Sequence, residues 1–245
     1  MFCKTSLTWF AAGDQNGAGR MTFSVVARCA RTGQFGVAVA SSSPAVAARC
    51  AYARAGRGAV TTQNITDPRL GPAGLALLAE GLSAADALEK IKAEASHVQY
   101  RQLTMIDRAG GTAVFSGVRT LGVHGEAVGR NIASAGNLLA NPDIPSVLVA
   151  AFEAGDEDAE LGERMLAAMQ AGLAAGGEAG PIKSAGMLIV DTQAWPLADL
   201  RVDWHDHPLA ELGALWALWK PQMHDYVTRA LNPSSAPAYG VPGDE

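Results

Sequence analysis

The chain has 245 residues, 49% of them hydrophobic, which is enough apolar material for one sizeable core and too little length for two ordinary domains. Its 19 Lys and Arg are scattered among 24 Asp and Glu, so no basic surface suits a phosphate backbone, and no run nears the roughly 20 apolar residues of a membrane-spanning helix. Neither nucleic acid nor a membrane is therefore expected as a partner. Cys3, Cys29 and Cys50 fit neither a disulfide framework nor a metal knuckle, and a reducing, cytoplasmic compartment is the simpler expectation.

Residues 1–20 show no periodicity or cap, and Asp14, Gln15 and Asn16 interrupt what would be a signal peptide's hydrophobic region. They read as a misassigned or disordered extension ahead of a domain at 21–231, with a disordered Pro-, Ser-, Ala- and Gly-rich tail at 232–245. The domain opens on a hairpin of strands at 22–28 and 35–40, turned by Arg31-Thr32-Gly33, followed by a third strand at 58–63. Two helices come next, at 72–79 and from Ser83, where Ser83 and Asp86 make a capping box. Ala84, Ala87, Leu88, Ile91 and Ala95 share the buried face of the second.

Strands return at 99–107, 112–117 and 131–135, then helices at 145–154 and 161–175. Leu161, Met165, Met169 and Leu173 recur one turn apart along the last of these, as a packing stripe does. Two more strands are predicted at 184–191 and 198–203, and Asp206 is placed to cap a final helix from Pro208 to about Lys220. Paired helices alternating with antiparallel strands give an α+β fold, a four-layer αββα sandwich of two antiparallel sheets.

Five segments carry a further likeness: Thr22-Phe-Ser-Val-Val-Ala27, Thr32-Gly-Gln-Phe-Gly-Val-Ala-Val-Ala-Ser41, Gly58-Ala-Val-Thr-Thr-Gln63, Leu70-Gly-Pro-Ala-Gly-Leu75 and Ser184-Ala-Gly-Met-Leu-Ile-Val190. In this order, from Met21 to about Leu218, the chain resembles the domain-of-unknown-function 1028 family. The resemblance implies the fold of the N-terminal nucleophile (Ntn) hydrolase superfamily and names no substrate, because fold alone does not fix function.

In that superfamily the first residue of the mature chain attacks a carbonyl while its own α-amine takes the proton. The resemblance thus implies Thr22 as nucleophile, exposed by a start at Met21 and removal of that methionine. An α-amine, with a reference pKa of about 7.7, is a usable base near neutral pH. The plainer alternative is a β-favouring residue opening a strand. Ser41, Gln63 and Ser184, at strand ends, and Asn137 suit donors to a substrate carbonyl or oxyanion, or else strand-end caps. Arg54 and Lys183 are the cations placed to keep the amine unprotonated, or else solvated surface groups. Cys29 and Cys50 read as structural.

His205 and His207, flanked by Asp203 and Asp206, lack a third and fourth ligand, so neither metal nor cofactor is expected. The leading expectation is an amidohydrolase cleaving a C–N bond in a small-molecule amide or peptide-like substrate. A non-catalytic ligand-binding or scaffold protein on the same fold is the alternative, and a zinc hydrolase using His205 and His207 a third. The apolar surplus of the last helix, Leu209, Leu212, Leu215, Trp216 and Trp219, predicts a homodimer or higher oligomer anchored by Trp216 or Trp219, unless both rings pack under 221–231.

Overall fold

Valine, phenylalanine and small residues fill 22–27 and 35–41, and Gly33, at φ +79°, supplies a left-handed residue in the turn that lets the chain reverse. The result is an antiparallel pair, β1 (Thr22–Arg28) and β2 (Phe35–Ser41). The computed structural model describes residues 22–243, so Cys3 and the expected N-terminal extension lie outside the described residues.

After a single helical turn, α1 (Ala47–Cys50), a hairpin follows: β3 (Ala51–Arg54) and β4 (Gly58–Asn64). Next come α2 (Leu70–Ala79), α3 (Ala84–Glu94), β5 (Arg101–Asp107), β6 (Thr112–Ser116), β7 (Gly125–Gly129) and β8 (Ile132–Asn137). The chain continues through α4 (Ile144–Ala154), α5 (Leu161–Ala174), β9 (Ser184–Val190), β10 (Ala198–Val202), α6 (Pro208–Trp219) and α7 (Met223–Leu231).

Two antiparallel sheets result. One has the order β10-β9-β2-β1-β8-β7, the other β3-β4-β5-β6. Because strand side chains alternate, β1 gives Phe23, Val25 and Ala27 to one face and Thr22, Ser24 and Val26 to the other. The first set joins Phe152, Met165, Met169 and Trp216 in a core shared with α4, α5 and α6. Val60, Leu103 and Met105 make a second core with α2 and α3. A third, smaller one, with Val26, Val37, Ala59 and Ile106, lies between the sheets.

Several local expectations hold in detail. The Ser83 hydroxyl accepts from the Asp86 backbone at 3.1 Å to open α3, and Leu161, Met165 and Met169 are buried, whereas Leu173 at the helix end is 40% exposed. Others need correction. The tryptophans of α6 make contacts within the chain: Trp216 is buried, and Trp219 donates from Nε1 to the Leu197 carbonyl at 3.0 Å while its ring centroid lies 4.9 Å from that of Tyr226 on α7. α7 thus covers the Trp219 side of α6, while Leu215 and Leu218 are 36% and 69% exposed. Asp206 does not cap α6 but pairs with Lys183. Residues 232–243 turn back over α7, where Arg229 stacks at 3.9 Å from the Tyr239 ring.

Candidate functional site

The interior between the two sheets changes character along the strands. At one end it is aliphatic; at the other it holds Thr61, Thr104, Ser24, Gln63 and Gln102, all buried. Polar groups removed from water must find partners, and these do. Thr61 and Thr104 share a hydrogen bond of 2.6 Å. Ser24 donates to Gln63 Oε1 at 2.7 Å, and Gln63 Nε2 donates to Gln102 Oε1 at 2.8 Å and to the Ala135 carbonyl at 3.1 Å. Gln102 Oε1 also accepts from Asn137 Nδ2 at 3.1 Å, and its amide donates to Ser116 Oγ and the Gly136 carbonyl.

This polar end leads to one row across the six-stranded sheet. Strand register pairs Ser184 with Ser41, Ser41 with Thr22, and Thr22 with Asn137, so four residues from β9, β2, β1 and β8 present side chains on one face. Thr22 is 8% exposed and the other three are fully buried. Thr22 Oγ1 donates to Ser41 Oγ at 3.2 Å, and Ser41 Oγ lies 2.8 Å from Ser43 Oγ and accepts from the Ser43 backbone at 3.1 Å. Asn137 Oδ1 is buried without a hydrogen-bond partner.

Beyond Thr22 opens a cleft of about 680 Å³, walled by Ser43, Arg49, Asn64, Ile65, Leu121 and Leu138 among others. Its rim is conformationally costly. Asn64 at φ 71°, Leu138 at φ 51° and Ala45, beside the cleft, at φ 51° hold the left-handed backbone that side chains disfavour, and such outliers gather where function requires a shape. Two contacts clip the rim together: Leu138 N donates to the Leu121 carbonyl at 3.0 Å, and Leu121 N donates to Asn64 Oδ1 at 3.2 Å.

The residues expected from sequence divide by their contacts. Thr22 faces the cleft and Ser41 touches it through Thr22 and Ser43. Gln63, expected among the catalytic groups, is enclosed in the amide network and is a positioning residue. The Ser184 hydroxyl is likewise occupied, donating to the Ser43 carbonyl at 2.6 Å and accepting from Val46 N at 3.2 Å; it shapes the 43–46 loop instead of meeting a ligand. Arg54 lies at the far end of β3, opposite Gly58 in register and exposed, away from Thr22. Lys183 points to Asp206 and Trp204 at the surface. His205 Nδ1 accepts from the His207 backbone at 3.1 Å, and among the described residues no three His, Cys, Asp or Glu side chains gather as a metal would need.

Two participants were not anticipated. Arg49, from α1, lines the cleft and bonds to the 43–45 loop, donating from Nη1 to the carbonyls of Pro44 at 2.6 Å and Ala45 at 3.0 Å and from Nη2 to Ser43 Oγ. Glu178 is buried, and its Oε2 accepts from Ser42 N at 3.0 Å while Oε1 has no hydrogen-bond partner. Burial pushes its carboxyl up to about 8, against the hydrogen bonds from Ser42 that pull it down. Burial also raises the thiol of Cys50, on the cleft wall, which disfavours the thiolate that a nucleophile needs.

The described chain is similar in structure to protein SPO2555 from Silicibacter pomeroyi, at 28% identity and a TM-score of 0.76, over 84% of this chain and 92% of that one. A lesser likeness, at 11% identity and a TM-score of 0.36, is to Anbu (ancestral beta-subunit) from Yersinia bercovieri, over 83% of this chain and 97% of that one. No curated protein matches. The model of a family of unknown function, DUF1028, matches residues 22–212, from the threonine at the cleft to the buried leucine of α6, and the chain belongs to that family.

Proposed function

We propose that the protein is an amidohydrolase of the N-terminal nucleophile type, with Thr22 as nucleophile and its freed α-amine as base. One observation carries the reading: the Thr22 hydroxyl stands where the polar row of the sheet meets a substrate-sized cleft. Two others support it. Helices on the outer faces of two stacked sheets match the αββα order of that superfamily, and the family match begins at Thr22. The buried thiols of Cys29 and Cys50 suit a reducing, cytoplasmic setting.

In the reaction, Thr22 Oγ1 attacks the amide carbonyl carbon and its proton passes to the α-amine. The C–N bond then breaks, the leaving nitrogen takes that proton, and an ester joins Thr22 to the acyl group. Water, deprotonated by the same amine, attacks the ester carbonyl and releases the acid and the free hydroxyl. Ser41 Oγ accepts the threonine hydrogen bond in the resting state and fixes its orientation.

The test has two parts. Intact-mass measurement of protein made from its own upstream sequence is expected to give a chain beginning at Thr22. With a panel of acyl amides, Thr22→Ser is expected to retain some hydrolysis and Thr22→Ala to lose at least about a hundredfold while remaining folded. Retention of residues 1–21 in the native protein, or equal turnover by Thr22→Ala, refutes the assignment. A cleft that binds without turnover identifies a non-catalytic ligand-binding protein.

A further inference from the structure

The cleft beside Thr22 has one charged group on its wall among the described residues, Arg49, and the rest is hydroxyl, amide, thiol and aliphatic. None of the ion pairs among the described residues includes Arg49. Glu178, the carboxyl bonded to this loop, holds Ser42 instead. The guanidinium is nevertheless fixed. Three of its five N–H groups are committed to Pro44, Ala45 and Ser43, which leaves Nε–H and one Nη2–H for a ligand. A planar cation held in place by its own loop binds a carboxylate with little further loss of side-chain freedom.

Its distance from the chemistry is short. Arg49 binds Ser43 Oγ, Ser43 Oγ lies 2.8 Å from Ser41 Oγ, and Ser41 Oγ accepts from Thr22 Oγ1 at 3.2 Å. Three hydrogen bonds thus link the cation to the hydroxyl, and both line the same cleft, so one ligand can meet both. The remaining walls are apolar at Ile65, Leu121 and Leu138, and Ile65 and Leu121 are 46% and 43% exposed, more than buried core leucines and isoleucines are.

We infer that Arg49 is the carboxylate-binding group of this cleft, so that its ligand is an amide bearing an apolar part and a carboxylate close to the amide bond, as in an N-acylated apolar amino acid. The nearness of the carboxylate to the amide bond rests on the proposed role of Thr22, whereas the binding of a carboxylate by Arg49 rests only on the cleft being the ligand site.

The experiment titrates the full chain with N-acetyl-L-leucine and with its neutral counterpart N-acetyl-L-leucinamide, followed calorimetrically and by the shift of the arginine Nε–H resonances. The acid is expected to bind about tenfold or more tightly than the amide and to move one arginine resonance. Arg49→Gln should abolish the preference and Arg49→Lys should keep part of it. Thr22→Ala should leave it unchanged, so loss of turnover and loss of carboxylate binding are separable. Equal binding of acid and amide to the unaltered protein overturns the inference, as does absence of binding by both at about 10 mM. That comparison needs no variant and holds even if Arg49→Gln fails to fold; a folded Arg49→Gln that keeps the preference also overturns it.

Discussion

Replacing Glu178 by glutamine isolates the effect of one buried acid on the stability of the site. Its carboxyl titrates at about 8 in the folded protein against an ordinary 4.5, so between these values the folded state keeps a proton that the unfolded state has released. The group's contribution is therefore fully present below pH 4.5 and is lost as pH rises through 8. Each pH unit in that window costs the folded state about 1.4 kcal/mol, which from pH 5 to pH 8 amounts to a loss on the order of 4 kcal/mol. Glutamine keeps the acceptor for Ser42 N and carries no charge at any pH. At pH 5 the variant is expected to match the parent within about 1 kcal/mol; at pH 8 it should be the more stable by several kcal/mol, or roughly 10 °C in Tm for a chain of this size. Urea denaturation at pH 5, 6, 7 and 8, followed by tryptophan fluorescence, measures the difference, and subtraction removes the other titrating groups, which both proteins share. A constant offset across the four pH values refutes the burial argument.

Gln102→Leu removes the acceptor shared by Gln63 and Asn137, leaves the Asn137 amide buried and unpaired while Gln63 keeps only its bonds to Ala135 and Ser24, and is expected to lower stability by about 2–4 kcal/mol in urea titrations; a loss below about 1 kcal/mol counts against the network. Gly162→Ala would place a methyl 2.6 Å from the Trp216 ring, and the α5 and α6 contact should weaken by about 1–3 kcal/mol with a change in the tryptophan near-ultraviolet circular dichroism. A stability change under about 0.5 kcal/mol would show that the ring is free to move.

Periodicity made most of the fold legible, since β1, β2, α3 and α5 owe their form to local pattern: alternation in the strands, the Ser83 cap, the methionine stripe. What it left out has too little local pattern to read. β3 spans four residues, β7 is Gly-Glu-Ala-Val-Gly, and α7 buries only Met223, so each forms because something longer stands beside it. At the site, Thr22, Ser41, Asn137 and Ser184 were visible as polar residues at or near strand ends, but their shared row depends on pairing across as many as 143 residues of register no single segment contains. Arg49 was overlooked and Arg54 favoured for the same reason. Arg49 precedes β3 and Arg54 ends it, and only the pairing of β3 with β4 decides which end of that strand faces the cleft. Gln102 and Glu178 carry no spacing that announces them, and burial alone gives them a role.

Of the strands among the described residues, β1 is the first to leave the ribosome and one of the last to be enclosed. It lies between β2, which follows at once, and β8, made about a hundred residues later, while β9 must arrive after that to cover β2. At cellular rates of synthesis the open side of β1 waits roughly 5–20 s for its partner. The smaller sheet, by contrast, comes from one unbroken stretch of chain, and its inner face, with Ala59 and Ile106, is available as a platform for the waiting hairpin. Until β8 pairs, an apolar strand edge is open to other nascent chains. Substitutions in β1 or β8 thus bear on how much protein a cell recovers before they bear on how tightly the finished molecule holds together.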